Sequence, residues 1–381
     1  MCRHEADVII IGGGLIGASA ALFLARRGRS VILLERGYVG AQASGVNFGN
    51  CRRQGRLLAQ LPLANRARGI WGRLAELTGG DAEFMPVGHL RVCYDPEQIG
   101  VIEDYADRAR AYGLNLELLS RSALHARFGY VGAEAIAGSF SPLDGHANPR
   151  LATPLFARAA RQMGVRIHEM TEVLACERVA EDFVVNVAGG GHYRAPAVLV
   201  AAGAWGGRFA AHFGEDVPMR PKGPQMAVTE PMPYVIGPVT GVSTATPGEV
   251  VYLRQIPRGN IIYGGCMHGP ADLDTARATY VAGNAVAQFR QVLRLAPVCA
   301  RARVIRTWSG VEGYVDDGRP VMGCSARVPG LFHAFGFCGH GFQIGPGVGD
   351  VMAELIDTGA TTTPIDAFSI ARFQQGRVRA S

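Results

Sequence analysis

The sequence predicts an α/β protein, a Rossmann-like nucleotide-binding domain interrupted by an inserted antiparallel sheet. Three observations predict it. A strand, a glycine turn, a helix and a second strand open the chain in register. Apolar strands that run into glycine return near residue 200 and again near residue 331. Between 218 and 306 the texture changes to alternating strands around a long helix.

Val8 to Ile11 is an unbroken β-branched run, as in a buried parallel strand. Gly12, Gly14 and Gly17 follow at G-x-G-x-x-G spacing, and an apolar helix that begins with Leu15 and Ile16 runs to about Gly28. Val31 to Leu34 is a second buried strand and ends on Glu35. Gly12 permits the tight turn, Gly14 admits a pyrophosphate to the backbone, and Gly17 lets helix and strand pack closely. The helix N-terminus turns unpaired N–H groups toward the phosphates. Glu35, 21 residues after Gly14, can accept from ribose hydroxyls. Val8 to Ala25 also mimics a membrane span or signal peptide, but Glu5 and Asp7 precede it, glycines interrupt it and Arg26-Arg27 trails it.

With 381 residues, 48% hydrophobic and 18% charged, the chain has material for a large core and two domains. Net charge is +6, and Lys222 is the one lysine. The arginines are scattered among acids. They read as a solvated surface, or as attraction for a carboxylate, which arginine binds bidentately. No basic block points to nucleic acid. Eight cysteines show no C-x-x-C and no zinc-ligand spacing, so no metal centre is expected and a reduced cytoplasm fits.

The glycine-rich loop after Glu35 carries Ser44, Asn47, Gly49, Asn50, Arg52 and Arg53, and reads as a second cofactor-cradling segment. Leu57 to Leu77 reads as a helix, and Glu83 to Tyr94 as strands turning at Gly88. Asp95, Ser120 and Asn148 are expected helix caps, with Pro96 and Pro149 at first helical positions. After Asn148, Leu151, Leu155, Ala159 and Met163 are expected to face inward, and Pro154 to kink the helix. His146 reads as a loop residue. Val165–Val173, Phe183–Val187 and Ala197–Ala202 read as strands, the last running into Gly203 and Trp205. Gln225–Thr229, Glu249–Gln255 and Asn260–Gly264 form the alternating set, with a helix near 271–295. Leu331–Phe335, a turn from Gly336 to Phe342, and a helix from Gln343 to Ile356 close the chain. The nucleotide domain is therefore expected to be discontinuous, over 1–83, 145–217 and 306–381, with 84–144 and 218–305 as a substrate domain.

Three separated segments, G-G-G-L-I-G, V-L-V-A-A-G-A-W-G and G-F-C-G-H-G-F-Q-I-G-P-G-V-G-D, occur in this order. In them the chain resembles the D-amino-acid oxidase-like flavoproteins. The likeness is to the bacterial branch of D-amino-acid dehydrogenases, glycine and sarcosine oxidases, and subunits of opine or hydroxyproline dehydrogenases. The resemblance implies FAD on a glutathione-reductase-like domain. Gly12, Gly14, Leu15, Ile16 and Gly17 would carry its phosphate turn, and Glu35 with Arg36 its ribose end. Ser44, Asn47, Gly49 and Asn50 would cover the flavin, with Arg52 as the flavin-side arginine. Val173 would meet adenine through its backbone, and Gly203 and Trp205 would lie near the cofactor. Gly339, His340, Gly341, Phe342 and Gln343 would turn a helix N-terminus toward the isoalloxazine, although His340 reads equally as a packing residue.

The implied chemistry is oxidation of the C–N bond of a D-amino acid, glycine, sarcosine or a proline-like amine. Hydride passes from the α-carbon to flavin N5 and leaves an imine. Arg254 is the first candidate for clamping the carboxylate, with Tyr252 and Tyr263 for a further hydrogen bond; each reads also as structural. Resembling oxidases often keep a lysine near the flavin. The single Lys222 therefore favours a dehydrogenase, with a quinone, a partner flavoprotein or O2 as acceptor. A 2-hydroxy acid or polyol phosphate is the alternative substrate. A subunit active only with hetero-oligomer partners is the alternative organisation. The expected location is the cytoplasm, or the inner face of its membrane.

Overall fold

The computed structural model describes residues 4–374. Its first sheet has six strands in the order Val321–Cys324, Leu331–Phe335, Ala197–Val200, Val8–Ile11, Val31–Leu34 and Arg166–His168. All neighbours run parallel except the edge pair of Val321–Cys324 with Leu331–Phe335. Every residue of Val8–Ile11 and Val31–Leu34 is buried, which is why these strands read as unbroken apolar runs. Leu15–Arg26, Pro149–Gln162, Gly341–Thr358 and Leu61–Gly72 cover one face in a single core with Phe156, Trp71 and Val351. A smaller sheet, Val173–Val179 with Asp182–Val187 and His192–Ala195, packs Phe183 and Val185 against the other. The stretch that mimics a membrane span is thus a strand and helix of this core. Among the described residues no helix is long and apolar enough to cross a membrane.

The second sheet has nine strands. Eight follow the order Val304–Ser309, Met219–Pro231, Asn260–Gly269, Val251–Gln255, Val239–Val242, His89–Cys93, Ala137–Ser141 and Glu117–Ser120. Glu312–Val315 pairs with the start of the long strand Met219–Pro231. Seven of these pairings are antiparallel; Val239–Val242 against His89–Cys93 is parallel. Helix Ala282–Leu295 lies over one face, with Val292 and Leu295 among Leu253 and Tyr263.

The three expected caps are present. Asp95 accepts from Glu97 N, Ser120 from Ala123 N and Asn148 from Arg150 N. Other expectations are corrected. The segment from Leu57 is a 3-10 turn at Leu58–Gln60 and two helices that break at Arg73. The helix expected near 271 begins at Ala282, because Asp272 takes the backbone N–H groups of Asp274 and Thr275 and closes a turn between two short paired strands. Of the positions expected inward after Asn148, Ala159 is buried and Leu155 packs against the core, whereas Leu151 and Met163 are exposed. Ala152, Phe156 and Ala160 complete the buried face. Pro154 sits inside that helix without ending it. Cys51, Cys93, Cys176 and Cys299 are buried without a disulfide partner, and Cys266 and Cys324 are exposed; Cys2 lies outside the described residues.

Glu215 and His333 tie the first sheet to the chain ahead of the second. Both are buried, and His333 Nε2 lies 2.8 Å from Glu215 Oε2. Burial pushes the Glu215 carboxyl up, but hydrogen bonds from His333, Ser325 and the Ala326 N–H, with the His333 charge, outweigh it and hold the carboxyl below its ordinary range. A carboxyl lowered on folding stabilises above its unfolded pKa, and that contribution is lost as pH falls through the folded value. Melting temperature followed from pH 7 down to pH 3 should therefore fall more steeply in the parent than in Glu215→Gln. Parallel curves would show that this carboxyl carries no such linkage.

Candidate active site

The carboxyl ends of the parallel strands face the second sheet across a cavity of about 670 Å³. Ligands in open α/β sheets bind at this end. Gly12, at φ +109°, forms its floor, and a Cβ there would stand 2.6 Å from the Ala201 carbonyl oxygen. Gly17 packs behind the turn, where a Cβ would run into the Gly12 carbonyl. Gly14 caps the helix that Leu15 and Ile16 begin. Glu35 accepts from Gly13 N at 2.7 Å and Gly37 N at 2.8 Å, so its carboxylate is fixed at the strand end with lone pairs to spare.

The loop after Glu35 folds back over this turn. Ser44 Oγ accepts from Leu15 N at 2.9 Å. Asn47 is spent on the loop itself: it donates to Ala43 and Ser44 carbonyls and accepts from Gly49 N. Gly49, at φ +84°, leaves no room for a side chain beside Ala147. Across the cavity, Arg36 lies 3.8 Å over the Trp205 ring, and Trp205 donates to Leu273 O. Val173 contributes at a bulge in its strand, and Gly203 at the 3-10 turn that follows strand Ala197–Val200. Thr171 N donates to Glu35 O and so brings that bulge beside the acid.

The third wall is the turn before Gly341–Thr358. Gly339 takes φ +77°, and His340, Gly341, Phe342 and Gln343 follow along the cavity. Trp71 and the Ala64 carbonyl hold Gln343 from behind. Arg52 reaches this turn, with Nη1 donating to Gln54 O and Nη2 to His340 Nδ1 at 3.3 Å. Arg56 donates to the His340 carbonyl. Burial, then the charges of Arg52 and Arg56, lowers the His340 pKa far enough to keep the imidazole neutral and an acceptor. Burial likewise lowers Arg52, and brings Arg56 down to about 9. No carboxylate lies in ion-pair reach of Arg36, Arg52 or Arg56 among the described residues. A buried arginine without a counter-ion attracts an anion.

Two sequence candidates do not reach the cavity. Arg254 is buried behind the loop, with Nε donating to Phe48 O at 2.8 Å and Nη1 to His146 Nδ1 at 3.0 Å. Burial lowers it to about 10 and His146 to about 3, so a neutral imidazole accepts from it. Its fork is occupied in anchoring the loop. Tyr263 stands opposite Leu253 in the ladder and so shares that residue's face, turned from the face of Tyr252 and packed against Phe289. Tyr252 does line the cavity, edge-on to Phe48 at 4.7 Å.

Sequence reasoning passed over Arg56, Met226, His268, Glu312 and Tyr314, all on the cavity wall. The alternation Glu312-Gly313-Tyr314 is a strand signal that puts both polar side chains on one face. Lys222 is exposed, its ammonium 4.8 Å over the Tyr314 ring.

These walls fit an extended dinucleotide. The turn is one a Cβ would fill, a carboxylate stands at the adjoining strand end, and two helix N-termini open inward. Arg36 Nη2, Asn50 Oδ1 and Gln343 Oε1 are buried here without partners. Among the described residues no cluster of His, Cys, Asp and Glu is placed to hold a metal.

Comparison with known proteins accords with this fit. A family model described as FAD dependent oxidoreductase matches residues 7–355. The chain is 29% identical over 380 residues to a glycine oxidase of Geobacillus kaustophilus, covering 97% of each chain. It is 25% identical to an opine oxidase subunit of Rhizobium meliloti, over 97% of this chain and 98% of that one. Among solved structures, L-proline dehydrogenase from P. horikoshii superposes with a TM-score of 0.91 at 26% identity, over 98% and 99% of the two chains.

Proposed function

The chain belongs to the FAD-dependent oxidoreductase family, and from that premise we propose that it oxidises the C–N bond of a small amino acid or secondary amine at the cavity between its two sheets. The substrate class is that of glycine, sarcosine, other amino acids of comparable size, or a proline-like amine. FAD, when bound, supplies the acceptor for the two electrons removed. Gly12, Gly14 and the first helix would hold its phosphates, Glu35 its adenosine ribose, Val173 its adenine, and Gly339–Gln343 with Asn50 its ring end. Arg52 would take the substrate carboxylate, since it faces the cavity without a counter-ion, and Tyr252 would orient the same group. Water leaves when the substrate enters between Tyr252, Met226 and the His340 turn, and the electrostatic hold on it strengthens.

The carrying observation is that a glycine turn, two helix N-termini and unpaired arginines face one cavity. An anaerobic absorbance titration of the purified protein with an amino-acid and amine panel tests the reading. Bleaching of the flavin bands by at least one member is expected, and none by 2-hydroxy acids. A flavin left oxidised by the whole panel would sink it. A hetero-oligomeric organisation is the second reading, favoured by likeness to a subunit over nearly its whole length. Full dye-linked turnover by the isolated chain would remove it.

A further inference from the structure

Among the described residues, Glu312 is the one carboxylate besides Glu35 and Glu172 on the cavity wall. It sits on strand Glu312–Val315, edge-paired to Met219–Pro231. Its Oε2 accepts from Tyr314 OH at 3.2 Å, and no other side-chain hydrogen bond to it is present among the described residues. The single lysine does not serve it. Lys222 stands opposite Glu312 in the ladder, yet its ammonium rests over the Tyr314 ring and makes no ion pair with Glu312. Burial pushes Glu312 up to about 7, with the Tyr314 hydrogen bond pulling the other way. A Cβ on Gly339 would stand 3.6 Å from Glu312 Oε2, and the next residue, His340, takes Arg52 Nη2 on its Nδ1 at 3.3 Å. Glu312 and Arg52 therefore approach the same Gly339–His340 turn, and with Tyr252 they line one cavity that carries a carboxyl and a guanidinium.

Resting on the reading of this cavity as the amine-oxidising site, we propose that Glu312 determines its specificity by holding the positively charged amine of a dipolar substrate. Arg52 takes the carboxylate of the same molecule. A 2-hydroxy acid fills the anionic half and leaves Glu312 buried without a cation, which opposes its binding. An amino acid satisfies both ends at once. Discrimination then comes from the group left unpaired in the wrong complex.

The test uses two unreactive probes of one shape, N,N,N-trimethylglycine and 3,3-dimethylbutanoate, which differ in the positive charge. Each is titrated calorimetrically into the FAD-loaded protein at pH 8.5, where Glu312 is ionised. The parent should bind the cationic probe at least tenfold more tightly. Glu312→Gln, which keeps the shape and the Tyr314 contact, should bring the ratio to near one with flavin content unchanged. Equal affinities in the parent, no saturable binding of either probe, or a ratio preserved in Glu312→Gln would each overturn the proposal. Probe binding needs no turnover. A protein that prefers the cation yet is bleached by no amine would sink the oxidation reading alone; bleaching without the preference would sink this one alone.

Discussion

Gly17→Ala should purify almost free of flavin, with an absorbance ratio at 450 and 280 nm at least tenfold below that of the parent. The added methyl meets the Gly12 carbonyl, which is backbone and cannot swing aside. Gly12 cannot retreat either, because the Ala201 carbonyl stands behind it and its φ of +109° suits glycine alone. The first helix must therefore lift from its strand, and the N–H groups at its start would leave the place proposed for the phosphates. Overpacking of this kind costs about 1–3 kcal/mol in stability, so the variant should fold with a lowered melting temperature. Gly69→Ala is the matched control, since a Cβ there meets nothing. A flavin-replete Gly17→Ala protein would show that the close approach at this turn is dispensable for holding the cofactor.

Arg52→Met should leave the protein folded and yellow while kcat/KM for a carboxylate-bearing substrate falls by roughly ten- to a hundredfold. That range corresponds to loss of one charged hydrogen bond, about 1.5–3 kcal/mol. The loss should sit mainly in KM, because a carboxylate clamp at Arg52 would act in ground state and transition state alike. Arg254→Met is predicted to behave in the opposite way. It strips donors from the Phe48 carbonyl and from His146, and breaking such a buried set costs about 2–4 kcal/mol. Its melting temperature should drop by several degrees, while KM of the folded fraction stays within about twofold. Steady-state kinetics beside thermal melts decide between the two arginines. A KM defect confined to Arg254→Met would restore it as the clamp.

The contrast between these arginines shows where the sequence was legible. The glycine turn, the strands beside it and the three caps are local patterns, and each could be read within a window of a few residues. The placement of Tyr252 on the cavity was also within reach, since a strand alternates its faces. Arg254 shares that face two residues on, but the loop from Ser44 to Asn50 lies over it, and nothing in either segment's own sequence announces their meeting. Tyr263 was lost to register, which depends on which residue of one strand stands opposite which of the next. Glu312 went unread because its isolation is the outcome of packing. The arginine-rich composition offered many partners for it, and among the described residues the fold delivers none.

The cavity wall is drawn from three stretches, Ile11 to Arg56, Thr171 to His268, and Val311 to Gln343. During synthesis the glycine turn leaves the ribosome long before the closing helix that faces it. A nascent chain of about 330 residues possesses the turn but not the opposite jaw, so tight loading with flavin must wait until helix Gly341–Thr358 has been made. Stalled chains of that length should leave flavin in the wash, and retention there would place capture earlier.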